Sequence, residues 1–162
     1  MNIKKLKQVA IELLHRSSKH DREMVVDRHL FIRLDAKHSH VTRQHYIEFA
    51  KSERPSRIDF RIGGTNPVLV ELAVRPAGGS SQLYGSQNRS ELGKLTRIPQ
   101  SQARLRAMLL MDLAARPILK SRLKPTYDCV SAGPGRFQRS SVRVLYVHAE
   151  LQYDFLWRPS AY

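Results

Sequence analysis

Cysteine is almost missing from this chain. Cys129 is the only one, which excludes an intrachain disulfide and a multi-cysteine zinc centre and fits a reducing cytoplasm. Long apolar runs are also missing: none approaches the roughly 18 residues of a membrane span. The first residues lack the long uncharged core and small-residue cleavage site of a signal peptide. There is no internal repeat and no low-complexity tail. Acidic residues are scarce beside basic ones, 14 Asp and Glu against 28 Lys and Arg, for a formal net charge of +14.

What remains suits one ordinary domain. The chain has 162 residues, 41% of them hydrophobic, enough for a core and too few for a comfortable second domain. We expect a single domain over 1–162, with an N-terminal helical segment at about 1–40 and a core at about 43–150. The charge excess attracts polyanions, and nucleic acid gains most because each neutralised phosphate releases counterions. DNA is preferred here to RNA, no membrane partner is expected, and the assemblies considered are a homodimer or a nucleoprotein complex. An anionic membrane would require a basic amphipathic helix with a strong apolar face. Only the N-terminal segment comes near this, with Ile3, Leu6, Ala10, Leu13 and Leu14 at helical spacing beside Lys4, Lys5 and Lys7. The periodicity predicts a first helix over 3–15 docked on the core.

The segment 24–34 is compatible with helix or strand, and 35–39 reads as a polar loop. A strand is expected at 46–50, closed by the turn signal Glu53-Arg54-Pro55-Ser56. From 57 to 62 the residues alternate, with Ile58, Phe60 and Ile62 on one face and Arg57, Asp59 and Arg61 on the other. After the Gly63-Gly64-Thr65-Asn66-Pro67 loop, 68–75 reads as a second strand. Val68, Val70, Leu72 and Val74 share one of its faces; Leu69, Glu71, Ala73 and Arg75 share the other. A short helix is expected near 89–97, ended by Pro99, and a longer one from an N-cap at Ser101 to Ala115. Leu105, Met108, Leu109 and Leu113 would form the buried stripe of that longer helix. Gly133-Pro134-Gly135 is a turn, not a phosphate loop. A strand follows at 142–149, and 153–157 is an edge strand or packed tail. The order predicts a mixed α/β domain of two or three layers, with an antiparallel core hairpin in a central sheet flanked by helices.

Symmetric closure of the hairpin loop pairs Ile62 with Val68 and places Asp59 opposite Glu71, with Cβ atoms about 4.5–5.5 Å apart. Two carboxylates held so closely destabilise a sheet unless they are neutralised. A divalent cation is one neutraliser, since carboxylate oxygen is its preferred ligand, and Mg²⁺ held in this way serves phosphodiester hydrolysis. Ordinary salt bridges to Arg57, Arg61 or Arg75 are the competing reading.

Ser56-Arg57-Ile58-Asp59-Phe60 followed by Val68-Leu69-Val70-Glu71-Leu72-Ala73 resembles the core hairpin of the PD-(D/E)XK nuclease superfamily. The resemblance covers about twenty residues in motif and roughly 46–149 in layout. It implies a restriction-endonuclease-like fold, a Mg²⁺- or Mn²⁺-dependent endonuclease, and Asp59 and Glu71 as the metal-binding acids. A third acid from an upstream helix would be Glu12, Glu23 or Glu48. Where the superfamily places its lysine, this chain has Ala73, which can neither orient water nor stabilise developing charge. Arg75 and Lys94 are the replacements on offer, and Gln87 is a candidate to orient the water. Arg75 stays charged and cannot serve as a base.

Basic residues crowd the segments on either side. Arg57, Arg61, Arg89, Arg97, Arg104 and Arg106 are candidate phosphate contacts, with a second group at Lys120, Arg122, Lys124, Arg136, Arg139 and Arg143. Tyr84, Phe137 and Tyr146 are candidate stacking residues, core packing being the competing reading for Tyr146. His29, His38, His40 and His45 have no zinc-ligand spacing and read as surface histidines. Cys129 reads as a buried bystander. The alternative to an active nuclease is a catalytically inactive relative that binds nucleic acid or a nucleoprotein partner. A structural subunit of a larger nucleoprotein assembly is a third reading.

Overall fold

A computed structural model of the chain describes residues 1–47, 56–79, 82–128, 130 and 141–158. The expected strand residues beyond 47, Glu48, Cys129, the 133–135 turn, Arg136, Phe137 and Arg139 lie outside them.

Two helices open the chain, α1 (Ile3–Leu14) and α2 (Glu23–Lys37). Asn2 caps α1 by accepting the Lys5 N–H at 2.9 Å, and its apolar stripe (Leu6, Val9, Ala10, Leu13, Leu14) is buried. The segment compatible with helix or strand is therefore helix, and α2 runs on into the expected 35–39 loop. Six strands follow: β1 (Val41–Ile47), β2 (Ser56–Ile62), β3 (Val68–Arg75), β4 (Leu105–Asp112), β5 (Val142–His148) and β6 (Gln152–Trp157). Two further helices, α3 (Ser86–Arg97) and α4 (Lys120–Asp128), precede β4 and β5.

The strands form one sheet in the order β1-β2-β3-β4-β5-β6. The β3–β4 and β4–β5 pairs are parallel and the others antiparallel. One face is covered by α1 and α2, whose Leu6, Leu13, Val26, Leu30 and Leu34 pack on Phe60, Val70, Leu109 and Leu145. The other face is covered by α3 and α4, through Leu92, Leu95, Leu123 and Tyr127 against Leu69, Met108, Val144 and Tyr146. The fold is thus a three-layer α/β/α arrangement around a mixed sheet. Among the described residues no helix is long and apolar enough to cross a membrane.

The long helix expected from Ser101 to Ala115 is instead β4. Leu, Met and Ala favour helix locally, but this strand is central, parallel to both neighbours and buried on both faces. Its side chains divide between the layers, with Leu109 and Met111 on one side and Met108 and Leu110 on the other. A strand in that position needs apolar residues at every step, so period-2 alternation disappears and tertiary context overrides propensity.

The hairpin register is the expected one at its closed end, where Ile62 pairs with Val68 and Phe60 with Val70. Beyond Phe60 the strands part. Phe60 and Ile62 belong to the α1–α2 core, while Ile58 is buried in the α3–α4 core, so the expected shared face for these three residues does not hold. The reason lies at Gln44, whose φ of 51° turns β1 over and carries the paired strand with it. Arg43, before the reversal, reaches Asp27 and lies 5.6 Å from the Phe31 ring on α2. Ile47, beyond it, packs in the α3–α4 core. Asp59 sits at the fault between the two regimes.

Candidate active site

The parting of β2 from β3 leaves backbone donors on β3 without a strand partner, and an acid takes one of them. Asp59 Oδ2 accepts the Leu72 N–H at 2.8 Å, while its Oδ1 accepts from Gln44 Nε2 at 3.0 Å. This pins the carboxylate to β3 at the residue after Glu71. Glu71 is only 2% exposed and feels the negative charge of Asp59. Burial and then Asp59 push the Glu71 carboxyl up to about 10; Lys94 pulls the other way without compensating. At neutral pH the Glu71 carboxyl is therefore protonated.

Lys94 reaches this pair from α3. Its Nζ lies 2.5 Å from Glu71 Oε1, contacts Glu91 Oε2 on its own helix and donates to the Arg57 carbonyl at 2.5 Å. Burial lowers the Lys94 pKa, but Glu71 and Glu91 outweigh burial and the net direction is upward. Lys94 is thus held as an ammonium and cannot act as a base. Glu71 Oε1 and Glu91 Oε2 are buried, and the Lys94 ammonium is the group that each of them meets.

These groups line a cavity of about 880 Å³ together with Glu23, Gln87 and Arg57. Glu23, at the first position of α2, feels the site: burial and then Asp59 raise its pKa. Of the three upstream acids it is the one brought to the pair. Glu12, on α1, does not line this cavity and pairs with Lys37 at 2.7 Å, and Glu48 lies outside the described residues. Arg57 lies 4.9 Å over the Tyr46 ring and donates to its hydroxyl at 3.2 Å. Tyr46 itself is 57% exposed.

Several expected members are elsewhere. Arg75 is not at the acid pair: it grips Asp112 with two bonds of 2.7 and 2.6 Å and donates to the Arg116 carbonyl. Its face was correct, but it lies at the end of β3, where Asp112 is its register partner on β4. Arg61 donates to the Gly63 and Gly64 carbonyls at 2.6 Å and straps the hairpin loop. None of Arg57, Arg61 and Arg75 therefore forms a salt bridge with Asp59 or Glu71; the cation paired with Glu71 is Lys94 instead. Arg89, Arg97, Arg104 and Arg106 do not line this cavity, and Arg106 is buried. Tyr146 is fully buried and donates to Asp112, so it is packed in the core and cannot stack on a base. His45 is on β1 and His38 follows α2 as its C-cap.

Sequence reasoning missed Gln44, Glu91 and Arg22, the last also on the cavity wall. Glu91 had a signal, because three residues along a helix from Lys94 places the two side chains on one face. Gln44 had none, since its role depends on a left-handed backbone within a strand.

The donor set suits a hard divalent cation. Among the described residues no group of three or more His, Cys, Asp and Glu is disposed as a metal cage, but Mg²⁺ commonly takes one or two carboxylates and fills its shell with water and phosphate oxygen. A buried Glu71 oxygen beside a second carboxylate fits that requirement.

No protein-family model, no curated protein and no solved structure matches the chain.

Proposed function

We propose that this chain is a restriction-endonuclease-like nuclease that hydrolyses nucleic-acid phosphodiesters, DNA in preference to RNA, with Mg²⁺ or Mn²⁺. One observation carries the reading: an acid from each strand of the hairpin meets a lysine delivered by the following helix, within one open cavity. Asp59 and Glu71, with Glu23 beside them, would hold the metal ion. The ion supplies Lewis acidity toward a phosphoryl oxygen and lowers the pKa of a bound water. Lys94 stands in for the lysine that the resemblance expects at Ala73. Its fixed positive charge stabilises the negative charge developing on the phosphorus-bound oxygens. The Gln87 amide is suited to orient the attacking water, and Arg57 to hold a backbone phosphate at the cavity wall.

The test is cleavage of duplex DNA, single-stranded DNA and RNA by the purified chain with Mg²⁺ or Mn²⁺, beside Glu71→Ala and Lys94→Met. The expected result is cutting by the wild type alone. Wild-type protein that binds these nucleic acids but cuts none would overturn the catalytic reading. It would leave the inactive relative, which one observation favours: the Lys94 ammonium already sits against both Glu71 and Glu91 as a resident cation.

A further inference from the structure

We propose that a second cavity, at the start of β4 and β5, is a binding site for a phosphate group. It has a volume of about 380 Å³ and is lined by Arg104, Arg106 and Arg143 with Gln100, Ser141 and Leu156 among its walls. It shares no lining residue with the cavity of the acid pair. Among the described residues no carboxylate lines it.

The charge balance of the three arginines decides what this cavity takes. Arg143 has a partner, Asp154 at 3.0 Å, and both side chains are partly exposed. Arg104 is exposed, and its side chain has no carboxylate partner among the described residues. Arg106 is the anomaly. It is 6% exposed, makes one hydrogen bond of 3.0 Å to the Ile98 carbonyl, and has a buried Nε with no acceptor. Among the described residues no carboxylate pairs with it. Ile98 caps the end of α3, and a helix C-terminus offers roughly half an elementary charge. That falls short of a full guanidinium. Burial accordingly pushes the Arg106 pKa down.

A buried cation with an idle donor is costly unless an anion completes it. A phosphate suits this wall better than a carboxylate. Its several oxygens can engage guanidinium groups from different directions while the Ser141 hydroxyl and Gln100 amide supply neutral donors. The volume exceeds that of an inorganic phosphate and leaves room for the rest of an ester. The inference stands apart from the nuclease reading, because neither Asp59 nor Glu71 takes part.

The test is titration of the full chain with inorganic phosphate in EDTA, followed by ³¹P NMR and thermal shift against chloride at equal ionic strength. Saturable binding by the wild type is expected, weakened about tenfold or more in Arg106→Met and in Arg104→Ala, the difference that about 1.4 kcal/mol makes. Arg104 is exposed, so its variant keeps the test valid should Arg106→Met fail to fold. Glu71→Gln should bind phosphate as the wild type does, which separates this site from the acid pair. A dinucleotide with a terminal phosphate competing better than one without it identifies a monoester as the ligand; equal competition by both identifies the backbone diester. No response beyond ionic strength, or unchanged binding in Arg104→Ala and Arg106→Met, overturns the proposal.

Discussion

Asp59 replaces a strand carbonyl in the sheet: its Oδ2 accepts the Leu72 N–H at 2.8 Å at the point where β2 has left β3. One carboxylate thus closes a gap in the ladder and is pinned at the residue after Glu71 by the same bond. Removing it should expose both roles. Asp59→Ala leaves the Leu72 N–H unpaired and should cost about 1–3 kcal/mol in urea denaturation. Asp59→Asn retains an acceptor and should cost less, yet lose Mn²⁺ binding as fully as the alanine variant. If Asn bound Mn²⁺ normally, Asp59 would not be a ligand.

Lys94 offers a sharper separation of chemistry from stability. Glu71 is protonated at neutral pH, so Lys94→Met does not strand a charged Glu71 and the domain should still fold. Cleavage should fall by about 10²–10³-fold, the usual loss for a group that stabilises transition-state charge. Lys94→Arg should not restore it, because a planar guanidinium cannot occupy the compact position between Glu71, Glu91 and the Arg57 carbonyl. Full activity in Lys94→Met would remove the lysine from the reaction.

The raised pKa of Glu71 makes stability depend on pH in a stated direction. Its carboxyl moves from an ordinary 4.5 to about 10 on folding, so between these values the folded protein retains a proton that the unfolded chain has released. Its contribution is complete below the lower value and declines as pH rises toward the upper one. In EDTA the melting temperature should drop by roughly 8–16 °C between pH 6 and pH 9, at about 1.4 kcal/mol per pH unit, and Glu71→Gln should flatten that decline. Metal binding must expel the same proton, so Mn²⁺ affinity should climb with pH, by up to about tenfold per unit. A pH-independent affinity over this range would show that the proton is not there.

Asp112 is the strongest structural prediction. It is 1% exposed and accepts from Arg75, from the Tyr146 hydroxyl and from the Ala114 N–H at 3.0 Å. Tyr146 in turn accepts the Ile118 N–H at 2.7 Å and stacks on Tyr153 with centroids 4.6 Å apart. Asp112→Ala should therefore cost about 3–5 kcal/mol by chemical denaturation, since it leaves Arg75 without its counter-charge. Arg75→Ala should destabilise the fold without altering Mn²⁺ affinity. Lost cleavage at unchanged stability would return Arg75 to the reaction.

Much of the architecture could be read before folding. The hairpin loop, the strand of Glu71, the helix of Lys94 and the docked first helix all carry local signals: turn residues, alternation and an apolar stripe. The reading failed at β4, where burial on both faces erases the period, and at Ile58, where a reversal at Gln44 swaps the layers. Of the six arginines expected at phosphate, Arg57 alone lines the acid-pair cavity. Their crowding along the chain carried no information about which end or face of the sheet each would occupy.

Local chemistry along the chain was enough to set the charge excess and the hairpin register at its closed end, because these depend on composition and on neighbours a few residues apart. The expected pairing of Asp59 opposite Glu71 fails, since the strands part beyond Phe60. Which cation meets the acids was settled only by folding. Arg75, close to Glu71 in sequence, was drawn to Asp112 on the adjoining strand, while Lys94 arrived from a helix laid across the sheet. Electrostatic pairing depends on distance in space, and only the packed layers define that distance.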